Sequence, residues 1–80
     1  MKDSMQEVLL RTIFDEKQLQ QIMSGQKDGL DFVLYMNPRF TWKQMNQIRM
    51  GLYNDLDVSK ILDPRIKHSE MHDILFGRSN

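Results

Sequence analysis

The chain has 80 residues, 11 basic and 11 acidic side chains, and no cysteine. That length allows one domain with a modest core, and the cysteine count excludes disulfides and cysteine-held zinc as staples. The charges cancel: residues 1–38 hold four Lys/Arg against six Asp/Glu (−2), residues 39–80 seven against five (+2). This drift is not the basic stripe that marks nucleic-acid binders.

The first segment, Met1-Lys-Asp-Ser-Met-Gln-Glu, carries acids where a secretory signal would need an apolar run. No stretch approaches the length of a membrane span. A cytoplasmic location without membrane contact is expected. Ser4 and Glu7 have capping-box spacing, which predicts a helix over 4–13.

A long helix is expected next. Asp15 is its N-cap, Gln18 falls at N3, and Phe14 against Leu19 has hydrophobic-staple spacing. Leu19, Ile22 and Met23 form its apolar stripe. Gly29 supplies the left-handed C-cap and Leu30 folds back on the last turn. Asp31 then caps a short helix carrying Phe32, Tyr35 and Met36, which Asn37-Pro38 terminates.

The pattern then starts again. Thr41 and Gln44 make a capping box and Phe40 staples to Met45. Met45, Ile48 and Leu52 form the stripe, and the helix should end near Asn54. Asp55 takes the left-handed position less comfortably than Gly29, and Leu56 follows it. Asp57 caps a short helix with Val58, Ile61 and Leu62, which stops at Asp63-Pro64. A last long helix has Ile66 against Met71, Glu70 at N3, the poor cap Lys67, and the stripe Met71, Ile74 and Leu75.

The repetition is exact in register. Shifted by 26 residues, 14–39 lies over 40–65 with ten identical pairs, and a partial copy begins at Ile66. A fixed period of this size points to a stacked repeat architecture. The expected fold is all-α: a short helical-repeat bundle or solenoid of 26-residue long-helix/short-helix units. One domain spans 1–80, with a half repeat at 4–13, repeats at 14–39 and 40–65, and a half repeat at 66–77. Gly25, Gly51 and Gly77 recur at one register, either for close approach of a neighbouring helix or as early helix ends.

The run from Phe40 to Leu52, with Leu56-Asp-Val-Ser and Asp63-Pro-Arg, resembles a short tandem helical repeat of uncharacterised Firmicutes proteins, often linked to conjugative elements or phages. The resemblance covers 14–77 and is fullest over 40–65. In that family Gly usually stands where this chain has Asp55, and an aromatic residue or Ala where it has Leu62. It implies a repeat module with no established activity, hence no catalytic residues to transfer.

Chemistry-bearing residues are few. His68 and His72 share a helix face, but the Glu of a zinc-protease motif does not follow the first His. A third ligand is missing too, so two solvated histidines are the plainer reading. No serine has a nucleophile's context, and the acids fall at helix starts and corners. No catalytic residue, metal or cofactor is therefore expected, and the chain is read as a non-enzyme.

Trp42 stands where the other copies have Glu16 and His68, positions that face water. It is either a partner anchor or a ring lying flat across Phe40 or the preceding short helix. Arg49, Met50, Tyr53, Leu75 and Phe76 are the other candidate partner-binding residues. Met71, Ile74, Leu75 and Phe76 lack a short helix to cover them, so either the N-terminal helix folds across them or this end pairs with another molecule, for instance as a homodimer through 68–77. The function expected is a protein-interaction module, an adaptor, inhibitor or regulator of unknown partner. The alternative is a nucleic-acid-binding accessory protein using Trp42 with Arg39, Lys43, Arg49, Arg65 and Lys67, which zero net charge disfavours.

Overall fold

The computed structural model describes residues 5–77. Over those residues the chain is helical, with no strand. In order come α1 (Met5–Ile13), α2 (Glu16–Lys27), a 3-10 turn (Phe32–Tyr35), α3 (Trp42–Tyr53), a second 3-10 turn (Ser59–Ile61) and α4 (His68–Phe76). The capping box expected of Ser4 and Glu7 lies outside the described residues.

The long helices begin as their sequences dictate. Asp15 accepts from the Gln18 backbone N–H at 2.8 Å, and Gln18 Oε1 accepts from the Asp15 N–H at 2.8 Å. Thr41 and Gln44 close the same reciprocal pair at 3.2 and 2.8 Å. Lys67 makes no side-chain cap at α4, since its ammonium cannot accept from a backbone N–H. The ends of α2 and α3 also match. Gly29 and Asp55 take positive φ (72° and 60°). The Leu30 N–H donates to the Gly25 carbonyl at 2.9 Å, and the Leu56 N–H to Gly51 at 2.8 Å. With Gly29 N–H to Gln26 (3.1 Å) and Asp55 N–H to Leu52 (3.0 Å), each end is a Schellman closure.

Both expected short helices are single 3-10 turns, and they start one residue out of step. In the first turn the Leu34 N–H bonds the Asp31 backbone carbonyl (3.2 Å); in the second, the Ile61 N–H bonds Val58 (3.0 Å). Neither aspartate caps as expected: Asp31 holds the N-cap position but its side chain makes no cap, and the slip gives the N-cap position of the second turn to Val58 rather than Asp57. Asp57 accepts from the Ser59 N–H at 3.0 Å, and this bond holds its carboxyl below the usual carboxylate range. Each segment then leaves through an Asx turn: Asn37 accepts from the Arg39 N–H, and Asp63 from the Arg65 N–H, both at 2.9 Å.

The core contains Phe14, Ile22, Tyr35, Phe40, Met45, Ile48, Val58, Ile61 and Met71. Phe14 and Phe40, Ile22 and Ile48, Tyr35 and Ile61, and Met45 and Met71 are each 26 apart. Leu10, Leu19, Leu52, Ile66 and Leu75 pack against it. Met23 departs from the expected stripe and is exposed. It has the register of Arg49, which reaches back to α2; α1 leaves that place on α2 open. The chain extends over 51 × 24 × 17 Å, with a radius of gyration of 13.2 Å. A rounder domain of this length would have about 12 Å.

Candidate interaction surface

Two side chains tie the helices into one body. Gln18 Nε2 donates to the carbonyls of Pro38 (3.2 Å) and Phe40 (2.7 Å). Gln44 Nε2 donates to Pro64 (2.8 Å) and Ile66 (2.6 Å). Each Gln thus caps its own helix with its oxygen and holds the turn leading into the next helix with its nitrogen. Both are buried. A capping box accepts Glu as readily as Gln, so Gln at both 18 and 44 was the available sign of a donor role. Glu70 holds that register in α4, is exposed, and has no N–H to give.

Two glycines open the notches between helices. A Cβ on Gly25 would collide with the Tyr35 hydroxyl and lie 3.0 Å from Phe32 Cβ. One on Gly51 would lie 2.8 Å from Val58 Cγ1 and 3.0 Å from Leu75 Cδ1. Close approach is therefore the role of these two. Gly77 differs: it has φ 82°, ends α4, and has open space about it.

The side chains filling the two notches differ in kind. Beside α2, the Tyr35 hydroxyl donates to the Gln21 carbonyl, and burial pushes its pKa up to about 12. Gln21 Oε1 accepts from Arg49 Nε at 2.8 Å, and a terminal Arg49 nitrogen donates to Asn46 Oδ1 at 2.9 Å. Beside α3, Ile61 replaces Tyr35 and Leu75 replaces Arg49. Gln47 keeps the register of Gln21, and its Oε1 is buried without a hydrogen-bond partner.

The expected partner-binding residues separate accordingly. Arg49 is half-buried and its guanidinium is engaged between α2 and α3. Leu75 is half-buried against Gly51. Met50 is half-buried, with its sulfur 3.7 Å from Asn46 Nδ2. Trp42 is half-buried, with Lys17 Nζ 5.2 Å and Lys43 Nζ 5.8 Å from the ring centroid. Tyr53 is 67 % exposed and Phe76 39 %. Leu75 rests on Gly51, which brings the C-terminal ends of α3 and α4 together, and Tyr53 on α3 and Ile74 and Phe76 on α4 are exposed.

Arg65 pairs with Asp63 at 3.0 Å, which lowers the Asp63 pKa. His72 packs on Phe76 at 4.9 Å between ring centroids. Among the described residues no three His, Cys, Asp or Glu side chains come together to hold a metal ion, and no helix is long and apolar enough to cross a membrane. Sequence reasoning missed Leu9, Ile13 and Val33, which are exposed apolar side chains. No family model, curated protein or solved structure matches the chain.

Proposed function

We propose that the chain is a non-enzymatic protein-interaction module, an adaptor, inhibitor or regulator built from two stacked 26-residue long-helix/short-turn units with a half unit on either side. Several features support the stacking: the paired capping boxes, the paired Schellman closures, the two Gln seams and the two Gly notches, all at one register. The observation that carries the interaction reading is the exposure of the large apolar side chains Tyr53, Ile74 and Phe76. These side chains lie outside a core that is already filled, and aromatic residues in such positions anchor partners. The resemblance to tandem repeats of Firmicutes mobile elements would place the partner among the proteins of the host or of the element.

Affinity capture from such a host tests the reading, with wild type, Tyr53→Ala/Phe76→Ala and Trp42→Ala side by side. The expected result is a partner retained in high salt by wild type, lost by the Tyr53/Phe76 variant and weakened by Trp42→Ala. Equal recovery by all three would contradict it. So would capture of duplex DNA or single-stranded RNA with steep salt dependence, the mark of phosphate contacts beside Trp42.

A further inference from the structure

The chain is held firmly up to Ile66 and loosely after it. Gln44 Nε2 fixes the carbonyls of Pro64 and Ile66, and the Asp63 carboxylate takes the Arg65 N–H. At the next residue the holding stops. Lys67 has the extended backbone of an N-cap (φ −64°, ψ 149°), close to that of Thr41 (φ −72°, ψ 164°), but offers no side-chain acceptor to the first turn of α4. Glu70 stands at N3, yet neither half of a capping box forms. At its other end α4 stops at Gly77 with a plain bond from the Gly77 N–H to the Asp73 carbonyl (2.8 Å), where α2 and α3 have Schellman closures.

The seat of α4 is the poorer one as well. α3 packs on α2, on the first 3-10 turn and on α4, whereas among the described residues α4 packs on α3 and the second turn. Gln47 keeps the register from which Gln21 meets the Arg49 donor, and Leu75 stands where Arg49 would, so the buried Gln47 oxygen goes unpaired. An unpaired buried acceptor favours any state that lets water reach it. We propose that α4 is a hinged strap: it detaches as a unit about Ile66–Lys67 while α2 and α3 stay folded. Closed, it shows Ile74 and Phe76 to solvent and covers Met71. Open, it also frees Met71 and Leu75 and uncovers the notch at Gly51. The hinge thus changes how much apolar surface the molecule displays, and it stands or falls independently of any foreign partner.

Amide hydrogen exchange of the full chain, resolved by residue at a series of low urea concentrations, tests the strap in wild type, Lys67→Ser and Gly29→Asp. In wild type the α4 amides from Met71 to Phe76 should exchange at least about tenfold faster than those of Ile48 and Gly51, and with less dependence on urea, as a local opening requires. Lys67→Ser completes a capping box with Glu70 and should slow the α4 amides about fivefold. Gly29→Asp weakens the far end of α2 and should speed the Ile48 and Gly51 amides about fivefold while leaving those of α4 unchanged. Equal rates and equal urea dependence in α3 and α4 would overturn the proposal, as would α4 amides that follow Gly29→Asp, because α4 would then open only with the whole molecule. α4 amides that ignore Lys67→Ser would overturn it too, by pointing to fraying from Gly77 rather than a hinge at Lys67.

Discussion

The two sides of α3 are built on one frame and finished in different chemistry. Toward α2, the notch at Gly25 takes a tyrosine, and the neighbouring Gln21 shares its oxygen with Arg49. Toward α4, the notch at Gly51 takes Val58 and Leu75, and Gln47 faces no donor. The frame is the same on both sides: a capping box, a Gln amide holding the next turn, a glycine one turn before a left-handed residue. The difference teaches that polar fill has to change as a set. Replacing Tyr35 and Arg49 by Ile61 and Leu75 while keeping the glutamine strands a buried oxygen.

The frame is where breaking should cost most. Gln18→Ala and Gln44→Ala each remove a cap partner and leave two carbonyls unpaired, a loss of about 3 kcal/mol each. Urea unfolding should give the two within about 1 kcal/mol of each other; a cost confined to one site would separate the two halves of the frame. Gly25→Ala comes next, at about 2 kcal/mol, because a buried phenol must move. Gly51→Ala should cost about 1 kcal/mol, since Leu75 is more yielding and Ala gains helix propensity. Equal costs at the two glycines would deny the difference in fill.

The Tyr35 side also differs in its response to pH. Its folded pKa is about 12 against an ordinary 10.0. Below the ordinary value both states keep the proton and stability is full. Between the two values the unfolded chain loses the proton first, so stability falls as pH rises. Tyr35→Phe should flatten that alkaline fall; an unchanged slope would assign it elsewhere. A smaller gain is expected at the end of α3. Asp55→Gly relieves a left-handed aspartate and should stabilise by about 1 kcal/mol, whereas Gly29→Asp should lose a similar amount.

Much of the frame was legible because it depends on residue type at short range. Asp15 with Gln18, Thr41 with Gln44, and Gly29 with Asp55 all announce themselves within one turn of helix. The period of 26 then aligned Phe14 with Phe40 and Ile22 with Ile48 before any contact was known. What stayed hidden depends on partners far along the chain. Neither Arg49 on Gln21 nor the amide of Gln44 on Pro64 has a local signal, so Arg49 read as a free cation and Gln44 as a cap alone. The 3-10 turns escaped for another reason: five apolar residues before Asn37-Pro38, or Val58, Ile61 and Leu62 before Asp63-Pro64, fit a short α-helix and a 3-10 turn equally well. The candidate site was legible only as a list of apolar positions, because exposure of Tyr53 and burial of Leu75 follow from the packing of α4 on α3.

The contrast between the two sides of α3 can be tested with one matched pair. Gln21→Met removes the acceptor of the Arg49 guanidinium and should destabilise by about 1–2 kcal/mol, whereas Gln47→Met removes a buried oxygen with no partner and should stabilise by about 1 kcal/mol. Urea midpoints that move in opposite directions are the predicted result; midpoints that both fall by similar amounts would contradict the account.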